Sequence, residues 1–190
     1  MADPADLATR VKQFFRLLDE RHIDYLLVGG VAMLKYVDGR NTEDLDLIVS
    51  VDSLANLPEL VISDQNLNFA RGQFNALRVD LQFTANPLFR LVRERYATTH
   101  RFQEVGVRIA TVEGLLLLKL HALPDLYRRG DFQRIAIYEA DIMMLQQRYR
   151  PEMHRLFTEL RPHVDALAFE ELRRIAVDVD ARIARIDRAS

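Results

Sequence analysis

Two aspartates separated by one residue are the first positions whose spacing predicts chemistry. The run from Leu45 to Val49 predicts a strand that contains Asp46 and directly follows Asp44. Positions i and i+2 of a strand point to the same side, so both carboxylates project together while Leu45 and Leu47 enter the core. Two like charges held side by side repel unless a cation or a proton lies between them. Mg²⁺ that also binds triphosphate oxygens is the usual cation for such a pair.

A pair of glycines upstream predicts an element that receives phosphates. Tyr25 to Val28 is a short apolar run that predicts a buried strand, and Gly29-Gly30 ends it. A short helix is predicted over 31–36. Glycine lets the backbone approach a phosphate closely, and the N–H groups at a helix start can receive an anion. Two glycines alone predict only a turn. The phosphate interpretation depends on the aspartate pair, whose first member, Asp44, follows Gly30 by 14 residues.

A third carboxylate, Asp80, lies in the middle of a later strand. Apolar and polar residues alternate strictly over 77–83, which predicts a strand with one buried face. Asp80 has two interpretations. It is one of several polar residues on the outer face of a half-buried strand, or it lies beside the aspartate pair and completes a two-metal site.

The remaining elements must position these residues, and they divide into two types. A mixed α/β half runs to about residue 110, and an all-helical half follows from Thr111. Gly72 is predicted to lie in a turn between two strands, and Pro124 to follow the end of a helix. The predicted helices are 5–21, 87–96, 111–122, 132–149, a short one from Pro151 to Pro162, and 165–187, and further strands are predicted at 67–71, 76–83 and within 101–110.

Composition narrows the classes of function. The net charge of −2 gives no overall basic field for nucleic acid, although a local basic patch stays open. The chain has no cysteine, so disulfides and thiolate metal sites are excluded. The sequence has no secretory signal and no apolar run long enough to cross a bilayer. We therefore expect a cytoplasmic protein with no membrane partner.

The motif residues resemble a known superfamily. Gly29-Gly30, then Arg40-x-Thr42-x-Asp44-Leu45-Asp46, is similar to the nucleotidyltransferases of the DNA polymerase β-like fold. The resemblance covers residues 25–50 and is closest to AbiEii/MenT-type toxins of type IV toxin–antitoxin systems. It also extends to small antibiotic nucleotidyltransferases. It implies an α+β fold in which a small mixed β-sheet core flanked by helices (1–110) precedes a helical bundle (111–190) that completes the cleft.

The resemblance also implies an activity. An NMP moves from an NTP to an acceptor hydroxyl, with Mg²⁺ or Mn²⁺ held by Asp44, Asp46 and Asp80, and Asp80 assists as general base. Gly29, Gly30, Arg40 and Thr42 are implied to bind the nucleotide. The implied acceptor is tRNA, with an antitoxin protein as partner. The alternatives are a small-molecule acceptor, as in antibiotic resistance, and a non-catalytic nucleotide-binding domain of the same fold.

Two charged residues in the helical half extend the resemblance. AbiEii-like proteins carry a lysine near the triphosphate and, on a later helix, a basic-Asp-x-x-Asp motif. Lys119 matches the lysine and Asp141 the second aspartate, whereas Ile137 and Tyr138 replace the basic residue and the first aspartate. Apolar residues surround both Lys119 and Asp141 at helical spacing. They are therefore predicted either to bind the nucleotide or to pair with one another.

Overall fold

The computed structural model describes residues 4–38, 42, 44–102 and 104–189, without the side chains of 4–7 and 189. The chain divides into two units, Met1–Thr111 and Val112–Ser190. In the described residues, the first unit contains three α-helices and seven strands in one sheet. In chain order they are α1 (Pro4–Glu20), β1 (Tyr25–Val28), α2 (Gly29–Met33), β2 (Asp44–Val49), β3 (Val61–Gln65), β4 (Phe69–Phe74), β5 (Leu77–Phe83), α3 (Pro87–Arg95), β6 (Ala97–Phe102) and β7 (Val105–Ala110).

The sheet of the first unit is mixed, with strand order β3-β4-β5-β2-β1-β7-β6. β2 pairs parallel with β5 and antiparallel with β1, which in turn pairs parallel with β7. All four residues of β1 are buried, as expected for an apolar strand with a partner on each side. β2 and β5 alternate instead, so each buries one face and leaves polar side chains on the other. The aspartates therefore lie on central strands.

Helices cover the apolar side of this unit. α1 buries Phe14, Phe15 and Leu18 completely and contacts β5 and β7. α3 begins as its sequence predicts, because Asn86 caps it by accepting a hydrogen bond from the Leu88 N–H at 2.9 Å and Pro87 occupies the first turn. A 3₁₀ helix, Val51–Asn56, follows β2.

Three local predictions for this unit were wrong. Strand β3 was not predicted, because its residues are mostly exposed and do not alternate; its pairing with β4 also contains an irregularity between Ile62 and Asp64. Gly72 lies inside β4 rather than in a turn, and a Cβ there would approach the Val61 carbonyl oxygen to 2.9 Å. The turn is at Asn75, whose φ is 53°. Helix α2 begins at Gly29 itself and ends at Met33, earlier than predicted.

The second unit is helical throughout its described secondary structure. Its core contains fully buried leucines and isoleucines, such as Leu116, Leu120, Ile142 and Leu145. Asp131 caps one helix by accepting a hydrogen bond from the Arg134 N–H. Pro124 lies inside a helix rather than after it. The elements are α4 (Val112–Arg129), α5 (Phe132–Tyr149), α6 (Met153–Leu160), a 3₁₀ helix (Arg161–His163) and α7 (Ala166–Ala189).

The wrong end predicted for α4 has a packing explanation. Proline lacks an N–H group and disfavours the helical conformation of the preceding residue, so it usually ends a helix. Here Leu123, Pro124 and Leu126 are all buried, and burial of these apolar side chains offsets the lost hydrogen bond. In the described part of the chain, no helix combines the length and the apolar character that crossing a membrane requires.

Candidate functional site

The aspartate pair lies on the polar face of β2. Asp44 and Asp46 are partly exposed, whereas Leu45 and Leu47 are completely buried. Their alternation confirms that both carboxylates project from the same face while the leucines enter the core. Because β2 is bordered by β1 and β5, the pair lies in the middle of the sheet.

The glycine turn is shaped around one of these carboxylates. Val28 lies opposite Asp46 in the antiparallel pairing of β1 with β2, so the turn begins beside Asp46. Gly29 has a φ of +63°, and a Cβ at this position would overlap the Asp46 carboxylate. The Gly30 N–H donates a long hydrogen bond of 3.4 Å to Asp46 Oδ2. The glycines therefore make room for Asp46, a role that was not predicted from the sequence.

A threonine closes the other side of this turn. A Cβ on Gly30 would overlap the side chain of Thr42, and the Thr42 hydroxyl donates a hydrogen bond to the Asp44 carbonyl at 3.4 Å. Thr42 thus lies against the turn and next to the aspartate pair. Arg40, the other residue of the motif, lies outside the described residues.

The third carboxylate lies directly beside the pair. In the parallel pairing of β2 with β5, Asp46 and Asp80 are neighbours in register. Arg71 on β4 is opposite Asp80 and donates two hydrogen bonds to its carboxylate. Nε donates to Oδ1 at 3.0 Å, and Nη2 donates to Oδ2 at 3.5 Å. This hydrogen bonding raises the pKa of Arg71 above its ordinary value, with a further contribution from the Asp80 charge.

The charged residues continue across the sheet as a row. On the far side of Arg71, Asp64 of β3 is its neighbour in register. Asp64, Arg71, Asp80 and Asp46 thus occupy adjacent positions on four neighbouring strands, and we call them the carboxylate row. One arginine therefore lies among three carboxylates, and its charge reduces the repulsion between them.

A second arginine contacts the remaining aspartate. Arg78 Nε lies 2.6 Å from Asp44 Oδ1, and the two residues are neighbours in register on β5 and β2. The contact lacks the geometry of a hydrogen bond, and Asp44 Oδ1 is buried with no hydrogen-bond partner. The Arg78 guanidinium is therefore the cation that this oxygen already contacts.

The oxygen atoms of these carboxylates are the candidate ligands for the divalent cation that the resemblance implies. Within the described residues, no three His, Cys, Asp or Glu side chains already form a metal-binding cluster. The ion pairs account for this, since Asp80 is turned to Arg71 and Asp44 to Arg78. The chemistry still fits a hard cation. Carboxylate oxygens are its preferred ligands, and a glycine leaves room at Asp46.

The predicted residues of the second unit contact each other. Lys119 Nζ on α4 lies 2.6 Å from Asp141 Oδ2 on α5, and the two residues are only 5% and 0% exposed. The lysine nitrogen also lies 4.5 Å from the centre of the Tyr138 ring, a cation–π distance. This buried pair agrees with the structural alternative for the two residues, and their contact with a nucleotide stays a prediction.

Solved structures with the same architecture identify the fold. A nucleotidyltransferase-like antigenic protein from Paracoccidioides brasiliensis superposes with a TM-score of 0.59 at 18% identity, over 95% of this chain and 93% of that one. The chain has a nucleotidyltransferase fold. The antibiotic-resistance factor ANT(2'')-Ia matches with a TM-score of 0.58 at 14% identity, over 99% and 100% of the two chains. The structure of its complex with adenylyl-2''-tobramycin matches with a TM-score of 0.52 at 10% identity, over 92% of this chain and 97% of that one.

These likenesses confirm the predicted α+β nucleotidyltransferase fold. No protein-family model matches the sequence, and no curated protein matches it significantly. The closer resemblance to AbiEii/MenT-type toxins stays a prediction.

Proposed function

We propose that this protein is a metal-dependent nucleotidyltransferase that moves an NMP from an NTP to an acceptor hydroxyl. The observation that supports this most directly is the register of Asp46 with Asp80 on adjacent parallel strands, with Asp44 on the same face. The Gly29 turn adds to it, because its backbone conformation leaves room for the Asp46 carboxylate. Arg71 and Arg78 offset part of the repulsion between these carboxylates, and a divalent cation would offset the rest.

In the proposed reaction, the acceptor oxygen forms a bond to the α-phosphorus, the α–β phosphoanhydride bond breaks, and pyrophosphate leaves. Asp44 and Asp46 would hold Mg²⁺ or Mn²⁺ together with Asp80. When bound, the metal supplies charge neutralisation at the phosphates and lowers the pKa of the acceptor hydroxyl. Asp80 receives the proton of that hydroxyl. The Gly29-Gly30 turn positions the Asp46 carboxylate, and Thr42 positions the backbone at Asp44.

A small polycationic molecule is the acceptor that the observations favour. ANT(2'')-Ia, whose complex contains adenylyl-2''-tobramycin, shares the fold over almost the whole of both chains. Before a metal binds, the carboxylate row carries three acids and one arginine, a net negative surface that attracts a cationic acceptor and repels a nucleic acid backbone. A tRNA acceptor with an antitoxin partner rests on the sequence resemblance alone, and the transfer experiment below distinguishes the two.

Binding is tested by thermal and urea unfolding with Mg²⁺ or Mn²⁺ and each NTP. Ligand at 100 times its dissociation constant is expected to add about 2.7 kcal/mol to the free energy of unfolding. Asp46→Asn should lose this increment, because it removes a metal ligand. Glu94→Gln changes the same charge at an exposed position of α3 and should keep it. If no NTP stabilises the wild type at millimolar concentration with either metal, the proposal is wrong.

Transfer is tested with NTPs labelled at the α-phosphate. Aminoglycosides and total tRNA are offered separately, and label transferred to the aminoglycosides supports the small-molecule acceptor. Label on tRNA would instead support the toxin interpretation. Bound NTP without transfer to either acceptor would favour the non-catalytic nucleotide-binding alternative.

A further inference from the structure

The carboxylate row contains a cation next to one of the carboxylates that would hold the proposed metal. Arg71 lies on β4 between Asp64 of β3 and Asp80 of β5, and Asp46 follows Asp80 on β2. Its guanidinium reaches both oxygens of Asp80, at 3.0 and 3.5 Å. The position of Asp80 is thus fixed by Arg71, from the side opposite to Asp46.

The oxygens that Arg71 binds are the same ones that a metal would need. A guanidinium presents two parallel N–H groups that match the two oxygens of a carboxylate. A divalent cation uses carboxylate oxygens as ligands as well. The two cations also repel each other at this short range. Each carboxylate oxygen has two lone pairs, so a metal and Arg71 can both contact Asp80. Their mutual repulsion is what makes the two cations compete for this carboxylate.

The exposure of the pair allows such an exchange. The side chain of Arg71 is 55% exposed and that of Asp80 is 28% exposed. Exposed ion pairs contribute little to stability because water and dissolved ions replace the partners readily. A flexible, solvated arginine on a strand can therefore leave Asp80 without disturbing the core.

We propose that Arg71 is a positioning residue that holds Asp80 when no metal is bound and competes with the divalent cation for this carboxylate. The inference rests on the proposed function, because it concerns the same aspartates. It assigns Arg71 a role beyond structure: the arginine sets the metal concentration at which the site fills.

The experiment measures Mn²⁺ binding directly, from the electron paramagnetic resonance signal of free Mn²⁺, on the full chain without nucleotide. Arg71→Gln removes the charge but keeps most of the side-chain length. We expect its dissociation constant for Mn²⁺ to be about fivefold lower than that of the wild type, the factor for an exposed ion pair. Arg101→Gln is the matched control, because Arg101 is an exposed arginine on β6, at the other edge of the same sheet.

Arg71→Lys provides a second variant that keeps the charge but loses the bidentate hydrogen bonding of the guanidinium. It should bind Mn²⁺ more tightly than the wild type by a smaller factor, and it decides the matter if Arg71→Gln does not fold. A purely structural arginine would leave the Mn²⁺ affinity of the folded variants unchanged, and that result, or weaker binding, would overturn the inference. If the wild type binds Mn²⁺ and Asp46→Asn does not, the proposed site stands whatever Arg71 does. If neither the wild type nor an Arg71 variant binds Mn²⁺, the metal-dependent function fails together with this inference.

Discussion

Two ion pairs in this chain each join one basic residue to one aspartate, but their surroundings are opposite. Arg71 and Asp80 lie on the polar face of the sheet in the first unit, and both are partly exposed. Lys119 and Asp141 lie in the core of the second unit, where they are 5% and 0% exposed. An exposed pair exchanges its partners at little cost. A buried pair cannot, because removing one partner leaves an uncompensated charge in a medium of low polarity.

This difference indicates which charges are available for chemistry. A carboxylate that is to bind metal and substrate must have partners that can leave, and the aspartates of β2 and β5 meet this condition. Asp141 does not meet it, because its partner is enclosed with it and the Tyr138 ring lies against the lysine nitrogen. We therefore interpret the buried pair as part of the structure of the helical unit.

The largest expected effect comes from breaking the buried pair. Lys119→Met should lower the free energy of unfolding by about 3–5 kcal/mol, because Asp141 is then left charged and buried. Arg71→Gln breaks the exposed pair and should cost less than about 1 kcal/mol. Urea denaturation of both variants measures the difference. Adding Asp141→Asn to Lys119→Met should restore part of the loss, since the uncompensated charge is gone. A stable Lys119→Met variant with weakened NTP binding would place Lys119 in the nucleotide site instead.

A smaller effect is expected at the glycine turn. Gly29→Ala should lower stability by roughly 1–2 kcal/mol, the cost of a left-handed conformation for a residue with a Cβ, and more where that Cβ meets the Asp46 carboxylate. It should also abolish the stabilisation by metal and NTP, because Asp46 is displaced. Gly106→Ala is the matched control, because a Cβ at that position has no neighbour within 4 Å. Urea unfolding with and without metal–NTP compares the two, and equal behaviour would refute the role of Gly29.

The smallest expected effect concerns two histidines of the helical unit. Burial lowers the pKa of His121, and the nearby charge of His163 lowers it further; burial also lowers the pKa of His163. The unfolded chain, whose histidines have a pKa of about 6.5, then binds more protons in acid than the folded one. The contribution of the two neutral histidines to the free energy of unfolding should therefore be fully present above about pH 6.5, and it should decrease as the pH falls through this value. Urea midpoints between pH 7.5 and 5.5 measure this.

A double variant isolates the histidine contribution. Replacing His121 and His163 with glutamine removes both titrating groups and should flatten the pH dependence in this range. An equally steep dependence in the double variant would assign it to other groups.

Side-chain alternation was the most informative signal in the sequence. It placed Asp44 and Asp46 on one face of β2 and predicted β5 as a half-buried strand, since both strands have one apolar and one polar face. Strand β3 gave no such signal, because it is an edge strand with mostly exposed residues. The role of Gly29 was also missed. It depends on the register of β1 with β2, and only this register brings Asp46 next to the turn.

The sequence showed which residues carry charge but not which residues are partners. Arg71 had no distinguishing spacing, and its importance arises from the register of β4 with β5. For Lys119 and Asp141, apolar neighbours at helical spacing correctly allowed a mutual pair. These neighbours could not exclude a nucleotide contact. Helical spacing describes the faces of a single helix, whereas the Lys119–Asp141 pair joins two different helices. Pro124 was misread for the same reason, since tertiary burial outweighed the local preference.

The parallel pairing of β1 with β7 has a consequence for how the chain folds. Leu27 and Ile109 are neighbours in the sheet although 82 positions separate them in sequence. Closing so long a loop costs entropy before any contact compensates for it, so we expect this pairing to form late in folding. During synthesis, β2 emerges early and can pair with one edge of β1, whereas the other edge has no partner until β7 emerges from the ribosome. We expect this open edge to be the point at which the incomplete first unit can pair with other chains.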